Sequence, residues 1–460
     1  MAENSVNEEN SSLTNEQIEY TLKSISDENS SLTSEQIEYA LTSIYDVTKT
    51  IFKYLPLRSI DTCSTVCRSW YELAKLIKSR RHTFHTITYP SDINTGNFSN
   101  LSSGMLSDFD IFIDNTIQEH LWSVPCFALV LSTNILATKG FYSLPSSSTT
   151  TDTQQPPPKQ RRLRSSTSAT MTQRYDIDQA LLKHLPQSCS CMFVVSEGII
   201  SSSKIPNQNT YYTNELESTD AIGILLMPKM TSSMFGVYPF QIPSDTNISN
   251  DMSRSDLHRF LGNVPNDVDI RCIIFFFIQR QSSAMDCLKK LLEFYHNRIA
   301  VTGGFVEKIW YDDRKIKSKQ TSPCDACGIV FTGNNIRVGQ IVLESFVTKK
   351  TDIKQKIEKL KYIMDGRRSL SFGLQVSCVG RGTNLHNDTN IECNIFRSLF
   401  PSTPLVGVFG NGELGHDYLP NYDDSNSTTN QNVAKTIKKE TGKSFFRGYS
   451  SVFTLISIPY

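Results

Sequence analysis

Two glycine-rich strings in the last third of the chain contain the residues best suited to bind a ligand. They cover residues 376–382 and 404–415. Only glycine accepts a positive φ without strain and lets a ligand or another backbone approach closely, so both strings predict sharp turns at the rim of a pocket. The candidate pocket residues are Cys378, Arg381, Gly382, Asn411, Gly412 and Glu413.

These side chains predict a definite chemistry. The planar fork of Arg381 could clamp a carboxylate or a phosphate, and Asn411 and Glu413 could read an amine or an amide. The alternative is that the glycines only form turns and that Arg381 pairs internally, with Glu392 or with Glu413. Both interpretations are compatible with the sequence.

The second string also matches a dinucleotide-binding fingerprint, with glycines at 410, 412 and 415. That fingerprint must open a helix within a βαβ unit. Here Gly415 is followed by His416, Pro420 and a polar loop without helical periodicity. We therefore expect no dinucleotide cofactor.

Cysteine and histidine supply two further candidate sites. Cys324 and Cys327 have zinc-ligand spacing, but a structural zinc site needs four ligands and no second pair is nearby. Cys378 could form a thiol–imidazole pair with His386 or His416, yet the sequence indicates no oxyanion hole and no orienting third group. We expect no catalytic residue, no metal site and no cofactor.

Composition excludes several classes of protein. The chain has 460 residues with 46 basic and 46 acidic side chains, so we expect no general nucleic-acid binding. Residues 1–5 do not resemble a secretory signal, and the longest apolar run, 272–278, is too short for a membrane helix, so we expect a protein inside the cell. The 11 cysteines then indicate buried thiols rather than disulfides.

Apolar periodicity predicts a mixed α/β fold over most of the chain. In the middle of the chain, residues 110–113, 128–131, 192–195 and 221–227 are typical of strands. In the last third we expect strands at 272–278, 299–306, 328–332, 338–347, 370–379, 405–409 and 451–458. Helices are expected at 285–295, 353–363 and 391–400, giving mixed β-sheets covered by helices.

Two polar segments interrupt this pattern. Residues 144–170 are rich in Ser, Thr, Gln and Pro and should form a disordered loop, and residues 420–443 a flexible one. The first loop contains a basic cluster formed by Lys159, Arg161, Arg162 and Arg164. Such a cluster suits a nuclear import signal, since an acidic receptor groove can bind it, or it is simply a solvated charge run.

The N-terminus begins with a duplication, because residues 9–27 recur as 28–46 with four differences. Each copy has the pattern of one short amphipathic helix. Residues 1–46 contain ten acids and a single basic residue, Lys23. We expect a solvated, partly helical acidic tail.

Residues 47–84 are basic and carry apolar residues at helical spacing, with Val47, Ile51 and Leu55 on one face, which predicts a helical hairpin or trio too small to bury itself. The segments 54–60 and 66–74 resemble an F-box. The resemblance implies that an apolar ridge docks on the Skp-type adaptor of a cullin ubiquitin ligase. The ridge residues would be Leu55, Pro56, Ile60, Val66, Cys67 and Trp70.

The glycine strings at 376–382 and 404–415 resemble the hallmark strings of the FIST C-terminal domain, a sensory module. The resemblance implies a two-part FIST region, 85–270 and 271–460, after a small helical F-box. Together, the F-box and FIST resemblances imply a non-catalytic receptor, present in nucleus and cytoplasm, that presents protein substrates for ubiquitination and proteasomal degradation. The alternative is a sensor of a small amino-acid-like ligand.

Overall fold

A computed structural model describes residues 45–90, 105–143 and 173–459, apart from positions 207, 245, 247, 250, 279–281, 296–297, 315–323, 365–368, 421 and 423–444. The acidic duplication up to residue 44, the loop 144–170 with its basic cluster, and most of 420–443 therefore lie outside the described residues. The chain divides into two compact units, Met1–Arg80 and Arg81–Tyr460.

The first unit is helical, as its periodicity predicts. Its helices among residues 45–80 are α1 (residues 45–54), α2 (Leu57–Cys63) and α3 (Arg68–Arg80). Pro56 separates α1 from α2, because proline has no N–H for the helical ladder. The small core consists of Phe52, Ile60, Leu73, Ala74 and Ile77.

One detail of α1 differs from the sequence-based expectation. The apolar face was expected to contain Ile51, but Ile51 is exposed and its neighbour Phe52 is buried. The buried side of α1 therefore contains Thr48 and Phe52, one helical turn apart.

The second unit contains three large sheets. In spatial order, sheet 1 consists of β1 (His85–Tyr89), β8 (Ile222–Pro228), β2 (Pro125–Thr133), β5 (Ser190–Ser196) and β12 (Lys308–Asp312). Sheet 2 consists of β9 (Gly236–Pro243), β13 (Cys324–Thr332), β10 (Ile270–Phe277), β11 (Ala300–Phe305), β17 (Glu413–Leu414) and β18 (Phe446–Arg447). Sheet 3 consists of β14 (Arg337–Leu343), β19 (Ser451–Pro459), β15 (Ser369–Cys378), β16 (Leu405–Gly410), β6 (Gly198–Lys204) and β7 (Tyr211–Glu217). A separate hairpin pairs β3 (Phe141–Ser143) with β4 (Gln173–Tyr175).

The three sheets repeat one strand order. The quartets β1-β8-β2-β5, β9-β13-β10-β11 and β14-β19-β15-β16 each place their own first, fourth, second and third strands side by side. In each quartet the second and third strands are parallel and the other pairings are antiparallel. The second unit is therefore a threefold repetition of one sheet topology.

Each quartet also lends a strand to another sheet. In every case the strand comes from the segment between the third and fourth strands of its quartet. The first quartet contributes β6 to sheet 3. The second contributes β12 to sheet 1, and the third contributes β17 to sheet 2. All three large sheets thus contain strands from both sides of residue 270. The expected division into two FIST parts at that residue does not separate the sheets.

Helices cover the sheets, as expected for a mixed α/β fold. The described helices of this unit are α4 (Leu106–His120), α5 (Asn134–Lys139), α6 (Ile177–Leu181), α7 (Ser232–Phe235), α8 (Arg254–Phe260), α9 (Ser282–Tyr295), α10 (Lys350–Glu358), α11 (Thr383–His386) and α12 (Ile391–Leu399). Short 3-10 turns follow α6 (Leu182–His184) and α10 (Lys359–Ile363). Strands such as β10 are buried along most of their length, since both faces are covered, which explains their continuous apolar runs.

One predicted strand was wrong. Residues 110–113 lie inside α4, and the buried residues Phe109, Phe112 and Ile113 follow the three-to-four-residue period of a helix. Within the described residues, the other strands and helices predicted by periodicity are present at the expected places, although β14 ends at Leu343 rather than at residue 347. Among the described helices, none is both long and apolar enough to cross a membrane.

Candidate functional sites

The helical unit carries a concentration of exposed apolar side chains. Single exposed apolar residues are ordinary, but several on one short segment are typical of a protein-binding surface. The exposed large apolar residues of this unit are Tyr45, Ile51, Tyr54, Val66 and Tyr71.

The six predicted adaptor-binding residues differ in exposure. Val66 and Cys67 are exposed, and Val66 retains 63% of its accessible surface. Leu55, Pro56 and Trp70 are partly buried. The indole of Trp70 packs edge-on against Phe52 with ring centroids 5.3 Å apart, so it supports the core and also reaches the surface.

Ile60 does not belong to an exposed ridge. It is 0% exposed and lies in the core of the helical unit beside Phe52 and Leu73. Its position in the predicted ridge is corrected accordingly, because a fully enclosed side chain cannot contact a partner without unfolding. Ile60 instead holds α2 against the other two helices.

In the second unit, a cleft of about 290 Å³ lies beside the two glycine strings. It is lined by Glu197, Gly198, Glu217, Ser218, Val379, Asn384, Phe409 and Asn411. Several of these residues come directly after strands of the parallel pairs β2/β5 and β15/β16. The carboxyl ends of parallel strands are where open α/β sheets commonly bind ligands.

Asn411 is the predicted pocket residue that lines this cleft. Its Nδ2 donates to Glu307 Oε1 at 3.2 Å. Glu217 Oε1 accepts hydrogen bonds from the backbone N–H of Thr383 at 3.0 Å and from its hydroxyl at 3.1 Å. With Glu197 also in the wall, the cleft is acidic and suits a cationic group rather than a carboxylate.

The two predicted glycines serve the backbone. Gly382 has φ +59°, and a Cβ there would lie 2.4 Å from Glu217 Oε1, so this glycine lets Glu217 approach α11. Gly412 has φ +132°, and a Cβ there would lie 3.0 Å from Cδ2 of Phe305. Both turns are therefore required by close packing, as the glycine strings predict.

The acidic residues of the cleft are not among the pocket residues predicted from the sequence. Glu197 and Gly198 follow a strand that the sequence does predict, and a glycine directly after a strand was the available signal. Glu217 ends β7, a strand that periodicity did not predict, so nothing in the sequence singles it out.

The side chain of Arg381 is turned inward and paired within the protein. It is only 1% exposed, and its Nε and Nη2 donate to Glu392 Oε1 at 2.8 and 2.6 Å. The internal-pairing alternative is therefore the arrangement observed, with Glu392 as the partner. Desolvation explains this outcome, because a buried guanidinium must be paired.

The same guanidinium connects two loops. Its Nη1 donates to the carbonyl oxygens of Glu344 and Tyr449, both at 3.3 Å, and its Nη2 donates to Val347 O at 3.0 Å. Lys356 forms an ion pair with the Glu344 carboxylate beside this site. Arg381 therefore fixes the loop after β14 against the loop before β19.

Glu392 is held in position from several sides. Burial alone would raise its pKa, but the hydrogen bond from His386 and the charge of Arg381 outweigh burial and lower it. The helix that carries Glu392, α12, is anchored by Glu215, whose Oε2 accepts from Asn390 N at 2.9 Å. A carboxylate near the N-terminus of α12 also interacts favourably with the helix dipole.

Glu413 lies under the glycine turns rather than at a pocket rim. It is 0% exposed, and its Oε2 accepts from Ser450 N at 3.2 Å and from Ser450 Oγ at 2.6 Å. Burial raises the pKa of Glu413 to about 7, despite these hydrogen bonds. Its predicted role in reading an amine at the rim is therefore replaced by an internal one.

Cys378 is also buried, and burial raises the pKa of its thiol. An activated nucleophile requires the opposite shift. His386 hydrogen-bonds Glu392 rather than this thiol, with 3.2 Å between Nε2 and Oε1. The geometry does not bring Cys378 and His386 together as a catalytic pair.

The Cys324 and Cys327 pair lies within β13, with the two Sγ atoms 3.5 Å apart. Both thiols are buried in the main core. In the part of the chain that the structure describes, no three His, Cys, Asp or Glu side chains gather as a metal site would require.

Comparison with known proteins adds two family matches. Residues 46–82 match the F-box-like family, and residues 284–416 match the FIST C domain. The chain is also similar to the F-box only protein 22 of Pongo abelii and to that of Homo sapiens. Each is 22% identical over 418 residues, covering 90% of this chain and 92% of the relative.

Proposed function

We propose that this chain, which carries an F-box-like region followed by a FIST C domain, is the substrate-recognition subunit of a Skp–cullin–F-box ubiquitin ligase. The observation that carries the proposal is the exposed apolar surface of the helical unit, within the residues that match the F-box-like family. Burying such a surface against a partner's helices is the usual means of helix-in-groove recognition. The second unit would present protein substrates for ubiquitination and proteasomal degradation.

Catalysis in this role is positional. The receptor holds a target lysine near a ubiquitin thioester carried by a partner, which raises the effective concentration of the two reactants. The receptor then needs affinity and rigidity, not a nucleophile of its own. The closely packed sheets of the second unit, and the raised pKa of Cys378, agree with a non-catalytic role.

The basic cluster of Lys159, Arg161, Arg162 and Arg164 is proposed to direct the chain to the nucleus, so that the receptor acts in nucleus and cytoplasm. A fluorescent fusion should lose nuclear accumulation when the four residues are replaced by alanine. Unchanged nuclear accumulation would remove this part of the proposal.

Co-purification with a recombinant Skp-type adaptor tests the main proposal. The full chain should elute from a sizing column in a stoichiometric complex, and Val66→Asp should abolish it, because a charge on an exposed apolar contact must be desolvated. Ile111→Asp is the matched control, since Ile111 is similarly exposed, at 57% against 63% for Val66, but lies in α4. Adaptor binding that survives Val66→Asp would overturn the proposal.

A second function, sensing of a small ligand, is favoured by the acidic cleft around Asn411. Glu197 and Glu217 in its wall suit an amine-bearing ligand, which narrows the amino-acid-like class expected from the sequence. Thermal unfolding of the full chain should then shift upward with lysine or a diamine and not with a dicarboxylate. No shift at saturating diamine would remove this function.

A further inference from the structure

Two exposed aromatic side chains stand out on the second unit. Phe346 is 78% exposed and Tyr449 is 67% exposed, the highest values among the large apolar side chains described between residues 81 and 459. Phe346 lies in the loop between β14 and α10, and Tyr449 lies in the loop before β19. These are the two loops that Arg381 connects.

The loops are built to hold the aromatic residues in place. Arg381 Nη1 bridges the carbonyls of Glu344 and Tyr449, which brings the two backbones together. Tyr449 has φ +56°, an uncommon conformation for a residue other than glycine. Its ring packs over Gly380, where an added Cβ would lie 3.0 Å from the ring. A residue held in a strained conformation with its ring exposed is typical of a functional surface.

The charge around the aromatic residues is positive. The loop and helix that follow Phe346 contain six lysines between residues 349 and 361 against two acids, Asp352 and Glu358. Lys349, Lys350 and Lys354 are exposed. The carboxylate of Glu344, two residues before Phe346 in the sequence, is ion-paired with Lys356. A partner that covers the aromatic residues would therefore meet an excess of positive charge.

We propose that Phe346, Tyr449, Lys349, Lys350 and Lys354 form a docking surface for an acidic segment of a substrate protein that carries a large apolar side chain. The inference rests on the proposed function, since it assigns the substrate-binding surface of that receptor. Aromatic anchors surrounded by charges of one sign are how protein interfaces combine affinity with orientation. A protein segment fits better than a nucleic acid, because Asp352 and Glu358 lie among the lysines and would repel a continuous phosphate backbone.

Selection from a library of random dodecapeptides tests the inference, with the full chain bound to the adaptor as the bait. Enriched peptides should combine net negative charge with a Phe, Leu or Trp. Their affinity should fall about tenfold or more with Phe346→Ala and with Tyr449→Ala, and about tenfold with the Lys349→Glu, Lys350→Glu double variant. Raising the salt concentration should weaken binding.

Matched controls separate the surface from general effects. Ile111→Ala replaces an exposed apolar side chain elsewhere, and Lys289→Glu replaces a lysine side chain that is 72% exposed. Both should leave peptide affinity within about twofold. The inference would be overturned if basic peptides were enriched or if no peptide were enriched. It would also be overturned if peptide affinity did not change with Phe346→Ala and Tyr449→Ala. So would tighter binding to anionic vesicles or oligonucleotides with the same dependence on these residues.

The same samples distinguish this inference from the proposed function. Phe346→Ala and Tyr449→Ala should retain the adaptor, and Val66→Asp should lose the adaptor but still bind the peptide when the chain is immobilised directly. If the parent chain does not bind the adaptor, the receptor function is contradicted. Loss of peptide binding alone would contradict only the docking surface.

Discussion

Arg381 and Glu392 form a buried ion pair in which two guanidinium nitrogens donate to a single carboxylate oxygen, Oε1, at 2.8 and 2.6 Å. Both side chains are only 1% exposed. The pair lies behind the loops that display Phe346 and Tyr449, so it connects the core of sheet 3 with the proposed docking surface. Removing one partner of such a pair strands a charge in the interior.

Arg381→Met should therefore destabilise the second unit by about 3–5 kcal/mol, because Glu392 loses its counter-charge and three carbonyls lose their donor. Combining it with Glu392→Leu should recover part of this loss. Urea unfolding measures both. Lys289→Met breaks an exposed pair with Asp286 and should cost less than about 1 kcal/mol. An equal loss of stability in Arg381→Met and Lys289→Met would contradict the structural role of the buried pair.

Glu413 should make stability depend on pH. Its pKa is raised by burial to about 7 in the folded chain, against 4.5 as the ordinary value. Because the pKa of Glu413 is higher in the folded state than in the unfolded state, the folded state keeps the proton to a higher pH. Stability is therefore lost as pH rises from about 4.5 to 7. Glu413→Gln cannot ionise and should gain up to about 3 kcal/mol over the parent between pH 5 and pH 8.

Urea unfolding at these two pH values checks the Glu413 prediction. Glu358→Gln is the control, since Glu358 forms an exposed pair with Lys361 and its own pKa is lowered by that hydrogen bond. The control should show no gain between pH 5 and pH 8. Parallel behaviour of Glu413→Gln and the parent would refute a raised pKa.

Gly382→Ala should destabilise the chain by about 1–2 kcal/mol, because φ is +59° and the new methyl would meet Glu217 Oε1. The displaced Glu217 should also weaken diamine binding in the cleft. Gly448→Ala is a suitable control, as no atom lies within 4 Å of the added Cβ. Thermal unfolding distinguishes the two, and equal stability of both variants would show that Gly382 is not required.

Ile60→Ala should destabilise the helical unit by about 2–5 kcal/mol, since it removes a fully buried side chain. Val66→Ala should leave folding within about 0.5 kcal/mol and still weaken adaptor binding. Hydrogen exchange of the amides in α2 and α3 reports the first effect. Unchanged exchange in Ile60→Ala would show that Ile60 is not part of the core.

The sequence predicts individual elements of this fold well, but not their arrangement. The continuous apolar run of β10 and the apolar stripe of α9 are patterns among residues close together in the sequence. Such patterns can be recognised without knowledge of the fold. The threefold strand order depends on pairing between distant segments, such as β1 with β8, and no local pattern records it. The run at 110–113 was misread because a short apolar run is compatible with both a strand and a helix.

At the glycine strings, too, local features could be predicted from the sequence and long-range contacts could not. The glycine strings predict turns and close approach, and Gly382 and Gly412 have the positive φ that this requires. The sequence could not decide between a rim position and a buried one, because Arg381 and Glu413 are polar residues enclosed by loops from distant parts of the chain. Only the contacts with Glu392 and Ser450 reveal that these side chains are internal.

Assembly with a cullin scaffold tests the receptor function most directly. Immobilised cullin should retain the full chain only when a Skp-type adaptor is present, and Val66→Asp should abolish retention while Ile111→Asp preserves it. Retention that does not require the adaptor, or that Val66→Asp leaves intact, would contradict the assignment of the helical unit as the adaptor-binding element.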